Sequence, residues 1–399
     1  MADYFECVLT DSWVGIQLDT YELASASFIG YDGPEWTIGK SSLVGGKQQG
    51  VDVVLVDNGQ MTVVVCPTRG MGILEAFTDE AALSWRGPVR EVVHPAFVRE
   101  ETQGGLGWVA GFCELICRCG LSYHGAPGED VIRSNTGAEK RVTLPLHGTI
   151  ANCPAWRVSV RVQLQPPYEL SVCGELRDAR MFGPSWELVT TISTLPGSRA
   201  FRVRDLARNV SAGPQEMELL YHCNYGPPIL GPGTRVVAPA EYVCPRDARA
   251  QEGIGSWDVY GPPEAGFVEQ CYFLRVKGDA DGRTLVGLVN GEEELATTIR
   301  YSVKQLPALT IWRNTSAEED GYVTALEPGT DYPNSRRFER SKGRVIQVPA
   351  QSTYESDLEF ALLLESDELE ELRREVQALA GDEAPTVSEQ PDPELCPPE

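Results

Sequence analysis

Short runs of β-branched and aromatic residues, each closed by Gly, Pro, Asn or Asp, recur along the chain: VDVVLVDNG, MTVVVCPTRG, WRVSVRVQLQPP, YELSVCGELRD, WELVTTISTLPGS and AFRVRDLARNV. In WRVSVRVQL the apolar Trp156, Val158, Val160 and Val162 alternate with Arg157, Ser159, Arg161 and Gln163. That is the period of a strand with one wet face. The same grain continues between Glu216 and Val348 through MELLYHCNYG, TLVGLVNG, ATTIRYSVK, ALTIWRN and GYVTALEPG, with no linker that divides the chain. Strands without interleaved amphipathic helices predict an all-β fold, a large antiparallel sandwich occupying residues 1–365 as a single domain. No repeat of fixed period is present, so neither a propeller nor a solenoid is expected.

The pattern changes after Glu365. SDELEELRREVQALAG places Leu369, Leu372, Val376 and Leu379 on one helical face, predicting a short surface helix over 366–381. Ser366 is placed to cap its start, and Glu370 stands four residues before Arg374. Residues 382–399 carry acids and prolines but no base. Such a segment buries little apolar area by itself and is expected to be a disordered acidic tail.

Composition narrows the partners. A net charge of -24 opposes binding to a phosphate backbone, where Lys and Arg supply most of the affinity, and suits a neutral or cationic small ligand. There is no long apolar run, and the first residues, MADYFECVLTDSWVG, are acidic where a signal peptide is basic. The expectation is a soluble, cytoplasmic protein without nucleic-acid or membrane partners. The eleven cysteines are irregularly spaced, which suits reduced thiols better than a disulfide framework. Cys113, Cys117 and Cys119 cluster, but no CxxC pair is present, so they read as small buried residues rather than metal ligands. The GxSxG, P-loop, HExxH and dinucleotide-binding patterns are also missing from the sequence.

What remains is a small set of polar residues at strand ends. Glu327 closes the apolar run YVTALE just before Pro328 and Gly329, so its carboxylate is presented for proton chemistry. His222 and Asn224 in LLYHCNYGPP are two residues apart on a strand and share one face. His147 stands beside Gly148 in LPLHGTIANCPAW, and Arg69 ends a strand ahead of Gly70 and Gly72. His124 lies in a polar loop where solvent contact is expected, and His94 precedes Pro95 as a conformational residue. Trp312 could stack on a sugar face, and Arg336 and Lys304 could bind hydroxyls or carboxylates.

PTRGMGI, GWVAGF, CGLSYHG, LHGTIANCPA, LLYHCNYGPPIL and ALEPGTDYPNSR stand in the order and spacing of the galactose mutarotase-like proteins. The chain most resembles their DUF4432 group, often labelled aldose 1-epimerases. The resemblance runs from about Val51 to Leu363. It implies a β supersandwich whose concave face binds a monosaccharide, an isomerase that interconverts anomers, and no metal or organic cofactor. It further implies Glu327 as the base that takes the anomeric proton and His222 as the acid that protonates the ring oxygen. His147 and Arg69 would then bind sugar hydroxyls, with Asn224, Trp312 and Arg336 as further contacts. Two departures stand out. Thr149 follows the His-Gly pair where the group carries Arg, and Glu114 and Arg118 bring charges into FCELICRCGL.

Two other readings fit the same residues. One is a lyase or epimerase acting on a keto-sugar or uronate, with a variant in which His147, His222 and Glu327 hold a divalent cation. The other is a non-catalytic sugar-binding or sensing module built on Arg69, Asn224 and Trp312.

Overall fold

The structure is a computed structural model and describes residues 4–398. Its strands form a ten-stranded and a fourteen-stranded sheet, with a separate hairpin of Gly128–Arg133 and Glu139–Leu144. Among the described residues the strands pair antiparallel, except that Thr386–Val387 runs parallel to Ala240–Pro245. The predicted all-β sandwich is therefore the fold observed.

Alternation explains how the sheets meet. In Arg157–Gln163 the side chains of Val158, Val160 and Val162 are buried in the core between the sheets. Arg157 and Arg161 turn outward and pair across the strands with Glu175 at 3.0 Å and Glu6 at 3.1 Å. These pairs are partly exposed and add little, so the valines hold the strand in place.

The centre of the larger sheet runs through Gln270–Val276, Ala308–Thr315, Tyr322–Gly329, Gln215–Tyr225 and Ile116–Leu121 as successive neighbours. Met217, Leu219, Tyr221, Cys223 and Tyr225 of one strand enter the core between the sheets, so Leu220, His222 and Asn224 face the opposite side. That opposite side is covered too. Three short turns of 3-10 helix, Pro95–Phe97, Thr102–Gly104 and Gly107–Gly111, lead Trp108 and Phe112 into a small apolar cluster with Cys117, Cys119 and Leu220. Burial on both faces is why these strands are apolar almost throughout rather than alternating.

The predicted helix is Ser366–Ala380, and Leu369 and Leu372 seat it on Leu285, Val289 and Ala296. Its cap is Glu365, not Ser366: the Glu365 side chain and Glu368 each bond the other's backbone N–H, satisfying two free donors where a serine would satisfy one. Arg374 pairs with Glu371 rather than Glu370.

The segment expected to be disordered is packed against the body. Leu395 and Cys396 are buried with Cys244, Phe273, Ala308 and Tyr332. Asn334 donates to the Leu395 carbonyl at 2.8 Å, Arg344 donates to the Glu394 carbonyl at 2.8 Å, and Lys342 pairs with Glu394 at 3.0 Å. Its composition lacks bases and apolar area, but the body supplies both, and local composition carries no record of such partners.

Candidate functional site

Register brings the two leading residues together. The pairs Leu220–Gly329 and Cys223–Leu326 set His222 opposite Glu327 on the adjacent strand. Cys117 lies opposite His222 on one side, and Thr310 opposite Glu327 on the other. His222 Nε2 and Glu327 Oε1 are 3.2 Å apart, and both side chains are nearly inaccessible, at 5% and 3% exposure. They touch directly rather than flanking a gap.

Asn224 fixes the orientation of the imidazole. Its Nδ2 donates to the Glu114 carbonyl at 3.0 Å and to the His222 carbonyl at 3.1 Å, which turns Oδ1 toward the ring. His222 Nδ1 lies 2.6 Å from that oxygen, and since an amide oxygen only accepts, Nδ1 carries the hydrogen. Neutral His222 thus presents a lone pair on Nε2 to Glu327. Protonation follows the same sense. Burial raises the Glu327 carboxyl to about 8, with Glu269 adding to the effect and His147 and Arg246 opposing it. Burial pushes His222 well below the ordinary imidazole range, and nearby His147 adds to this. Near neutrality the pair holds one proton, on Glu327, within contact of Nε2.

His147 completes the group, its ring centroid 5.3 Å from that of His222. Its Nδ1–H donates to the His124 carbonyl at 2.8 Å, leaving Nε2 free to face a ligand. The backbone at His147 and Gly148 is left-handed, with φ of 60° and 71°. A Cβ on Gly148 would lie 2.3 Å from the Tyr123 carbonyl and 2.5 Å from that of Gly120. The glycine therefore admits backbone, not ligand.

Aromatic rings enclose the pair. Phe112 lies 5.1 Å from His222, Trp312 5.4 Å from His222, and Trp108 4.7 Å from His147. Trp312 Nε1–H donates to Glu269 at 2.7 Å, and Arg246 pairs with Glu269 at 3.1 Å. Trp108, Phe112 and Glu269 were not singled out from the sequence. Two aromatics in the Gly-rich GWVAGF were a usable sign of a loop wall, whereas a lone acid before a strand gives none.

Other candidates lie elsewhere. Arg69 is buried in an ion pair with Glu114 at 2.6 Å and also donates to the Val93 carbonyl and to Asn152. Its fork is taken up by the protein and not presented to a ligand. Arg336 pairs with Glu216, at the far end of the strand that carries His222, and lies 3.7 Å from Asp130. Lys304 donates to the Ala280 carbonyl at 3.2 Å. His124 is fully buried and bonded to Asp331, not solvated, while His94 accepts from Ala96 N–H as a local turn. Thr149 donates to Asp178 at 2.8 Å. Glu114 and Arg118 do not pair with one another; Arg118 bonds Asp205 on the core side. Among the described residues no group of three or more His, Cys, Asp or Glu that could hold a metal ion is found. No helix among them is long and apolar enough to cross a membrane.

A family profile described as "Domain of unknown function (DUF4432)" matches residues 48–362. Among solved structures, a "putative aldose 1-epimerase" from Klebsiella pneumoniae subsp. pneumoniae MGH 78578 is 31% identical, with a TM-score of 0.91 over 97% of this chain and 99% of that one. A galactose mutarotase-like protein from Clostridium acetobutylicum is 12% identical at a TM-score of 0.56, covering 82% of this chain and 98% of its own. A galactose mutarotase related enzyme from Lactobacillus acidophilus is 11% identical at 0.53, covering 78% of this chain and 97% of its own. The latter two share the fold. A search of curated proteins finds no match.

Proposed function

The chain belongs to the DUF4432 family, and we propose that it is a sugar 1-epimerase in which His222 and Glu327 act as one bifunctional acid–base pair. The 3.2 Å contact between Nε2 and Oε1 carries this reading. Mutarotation needs one proton removed from the anomeric hydroxyl and one delivered to the ring oxygen, and both oxygens are bonded to the same carbon. A donor and an acceptor in mutual contact match that span.

The resting proton distribution supports roles in the opposite sense to those the resemblance implies. His222 Nε2 accepts the anomeric proton while Glu327 delivers its own to the ring oxygen, and the carbon–ring oxygen bond breaks to give the open aldehyde. Rotation about the bond next to the carbonyl exposes its other face. On closure the ring hydroxyl returns a proton to Glu327 and imidazolium reprotonates the anomeric oxygen, so the pair ends as it began. Each well-placed acid or base contributes about 10²- to 10⁴-fold. His147 Nε2 would accept from a neighbouring hydroxyl, and the rings of Trp108, Phe112 and Trp312 would cover the apolar face of the sugar.

Following anomer exchange of aldoses by polarimetry or NMR tests this. Glu327→Gln and His222→Asn are each expected to lower the rate by roughly a hundredfold or more while the fold is retained. Saturable sugar binding with exchange no faster than in buffer would point instead to a binding module, and unchanged rates in both variants would sink the proposal.

A further inference from the structure

The packed C-terminal segment places two thiols in contact. Cys244 Sγ, on the strand Ala240–Pro245, lies 3.7 Å from Cys396 Sγ, and both residues are buried. We propose that Cys244 and Cys396 form a redox modification site, at which a hydroperoxide converts the thiol pair to a disulfide that ties the C-terminal segment to the sheet.

Three features favour reaction at this pair. The sulfurs must close only from contact to roughly 2.05 Å, the length of the bond. The Asp392 backbone N–H donates to Cys244 Sγ at 3.1 Å, and the Pro245 carbonyl lies 3.3 Å from Cys244 Sγ and 3.4 Å from Cys396 Sγ, so one acceptor serves both thiols. The Cys396 thiol beside Cys244, together with the Asp392 N–H, holds the Cys244 thiol below its ordinary range. Finally, Cys396 lines a cavity of about 440 Å³ with Arg246, Asp247 and Pro397, ample for a hydroperoxide.

The chemistry balances. The thiolate of one cysteine of the pair attacks one peroxide oxygen, breaks the O–O bond and becomes a sulfenic acid, releasing hydroxide that takes up the proton lost by the thiol. The other sulfur then attacks the sulfenic sulfur, forming the S–S bond and expelling the hydroxyl group, which leaves as water with the proton of that second thiol. In total, two thiols and hydrogen peroxide give a disulfide and two waters. The tie lies close to the candidate site. Cys244 stands two residues before Arg246, whose pairing with Glu269 supports Trp312.

Full-length protein treated with hydrogen peroxide, alkylated and digested with trypsin tests the assignment. The expected product joins the peptides 236–246 and 375–399, short of the mass of two hydrogens, and dithiothreitol separates them. A glutamyl endopeptidase cutting after the exposed Glu383 adds a second readout. The fragment carrying Cys396 should stay attached after peroxide, come away after dithiothreitol, and never be retained covalently in Cys396→Ser. Recovery of Cys244 and Cys396 as alkylated thiols after peroxide, or a disulfide joining other cysteines while these two stay free, would overturn it. The peptide map is made on the unmodified sequence, so it decides the matter even if the variant does not fold.

Discussion

Tyr221 and His222 are consecutive on one strand and equally sequestered, yet the two faces they serve are built on opposite terms. Below the sheet, Tyr221 donates to Asp205 at 2.6 Å and contacts Ser356 at 2.7 Å. Asp205 is paired with Arg118, and Arg118 also donates to the Met71 carbonyl at 2.8 Å and to Thr190 at 2.7 Å. In this network the Arg118 charge meets that of Asp205, and the Tyr221 hydroxyl has a partner. Above the sheet, no Lys or Arg among the described residues is paired with Glu327, and burial keeps its carboxyl protonated. The matched network fixes a conformation. The unmatched pair keeps a proton that can move, which is what a perturbed acid in a closed site is suited to do.

Removing a countercharge below the sheet should have the largest effect. Asp205→Asn leaves the buried Arg118 guanidinium uncompensated and is expected to cost about 3–5 kcal/mol in denaturant unfolding. An unchanged midpoint would break the comparison. Above the sheet the sign reverses. Glu327 titrates at about 8 when folded and near ~4.3 when unfolded. A raised carboxyl leaves stability intact below the unfolded value and forfeits it as pH climbs toward the folded one. Glu327→Gln should therefore be more stable than the parent by on the order of a few kcal/mol at about pH 8, the difference vanishing near about pH 4. Equal melting temperatures across that range would show that the carboxyl carries no such strain. Smaller is the effect on rate: kcat/KM for anomer exchange should fall about tenfold per pH unit above about 8 as Glu327 loses the proton it delivers. Smallest of all is Arg336→Ala. Arg340 also bonds both Glu216 and Asp130, so the loss should stay within about 1 kcal/mol with anomer exchange unchanged.

Some of this was legible in the chain. Alternation in WRVSVRVQL predicts the strand, and a carboxylate ahead of Pro-Gly together with a His two residues before Asn marks the residues that meet. That they meet by direct contact was not legible, because it depends on register between strands about a hundred residues apart. Arg69 was misread for a similar reason. Its partner Glu114 lies 45 residues away, and Arg118 finds Asp205 87 residues on. Glu114 and Arg118 stand four residues apart, yet each takes a partner far away in sequence. The acidic tail failed on composition, since its partners Asn334, Lys342 and Arg344 belong to the body.

The two-residue strand Thr386–Val387 lies beyond Ala240–Pro245, at one margin of the fourteen-stranded sheet. A bare outer strand offers unpaired N–H and C=O groups to any other chain that can extend alongside it. By pairing there in parallel over two residues, with Pro385 directly before them lacking an N–H to donate, the tail covers part of that margin with a segment too short to propagate the ladder. A very short outer strand in an acidic segment is one of the ways in which a sheet margin is kept from offering a template to another chain.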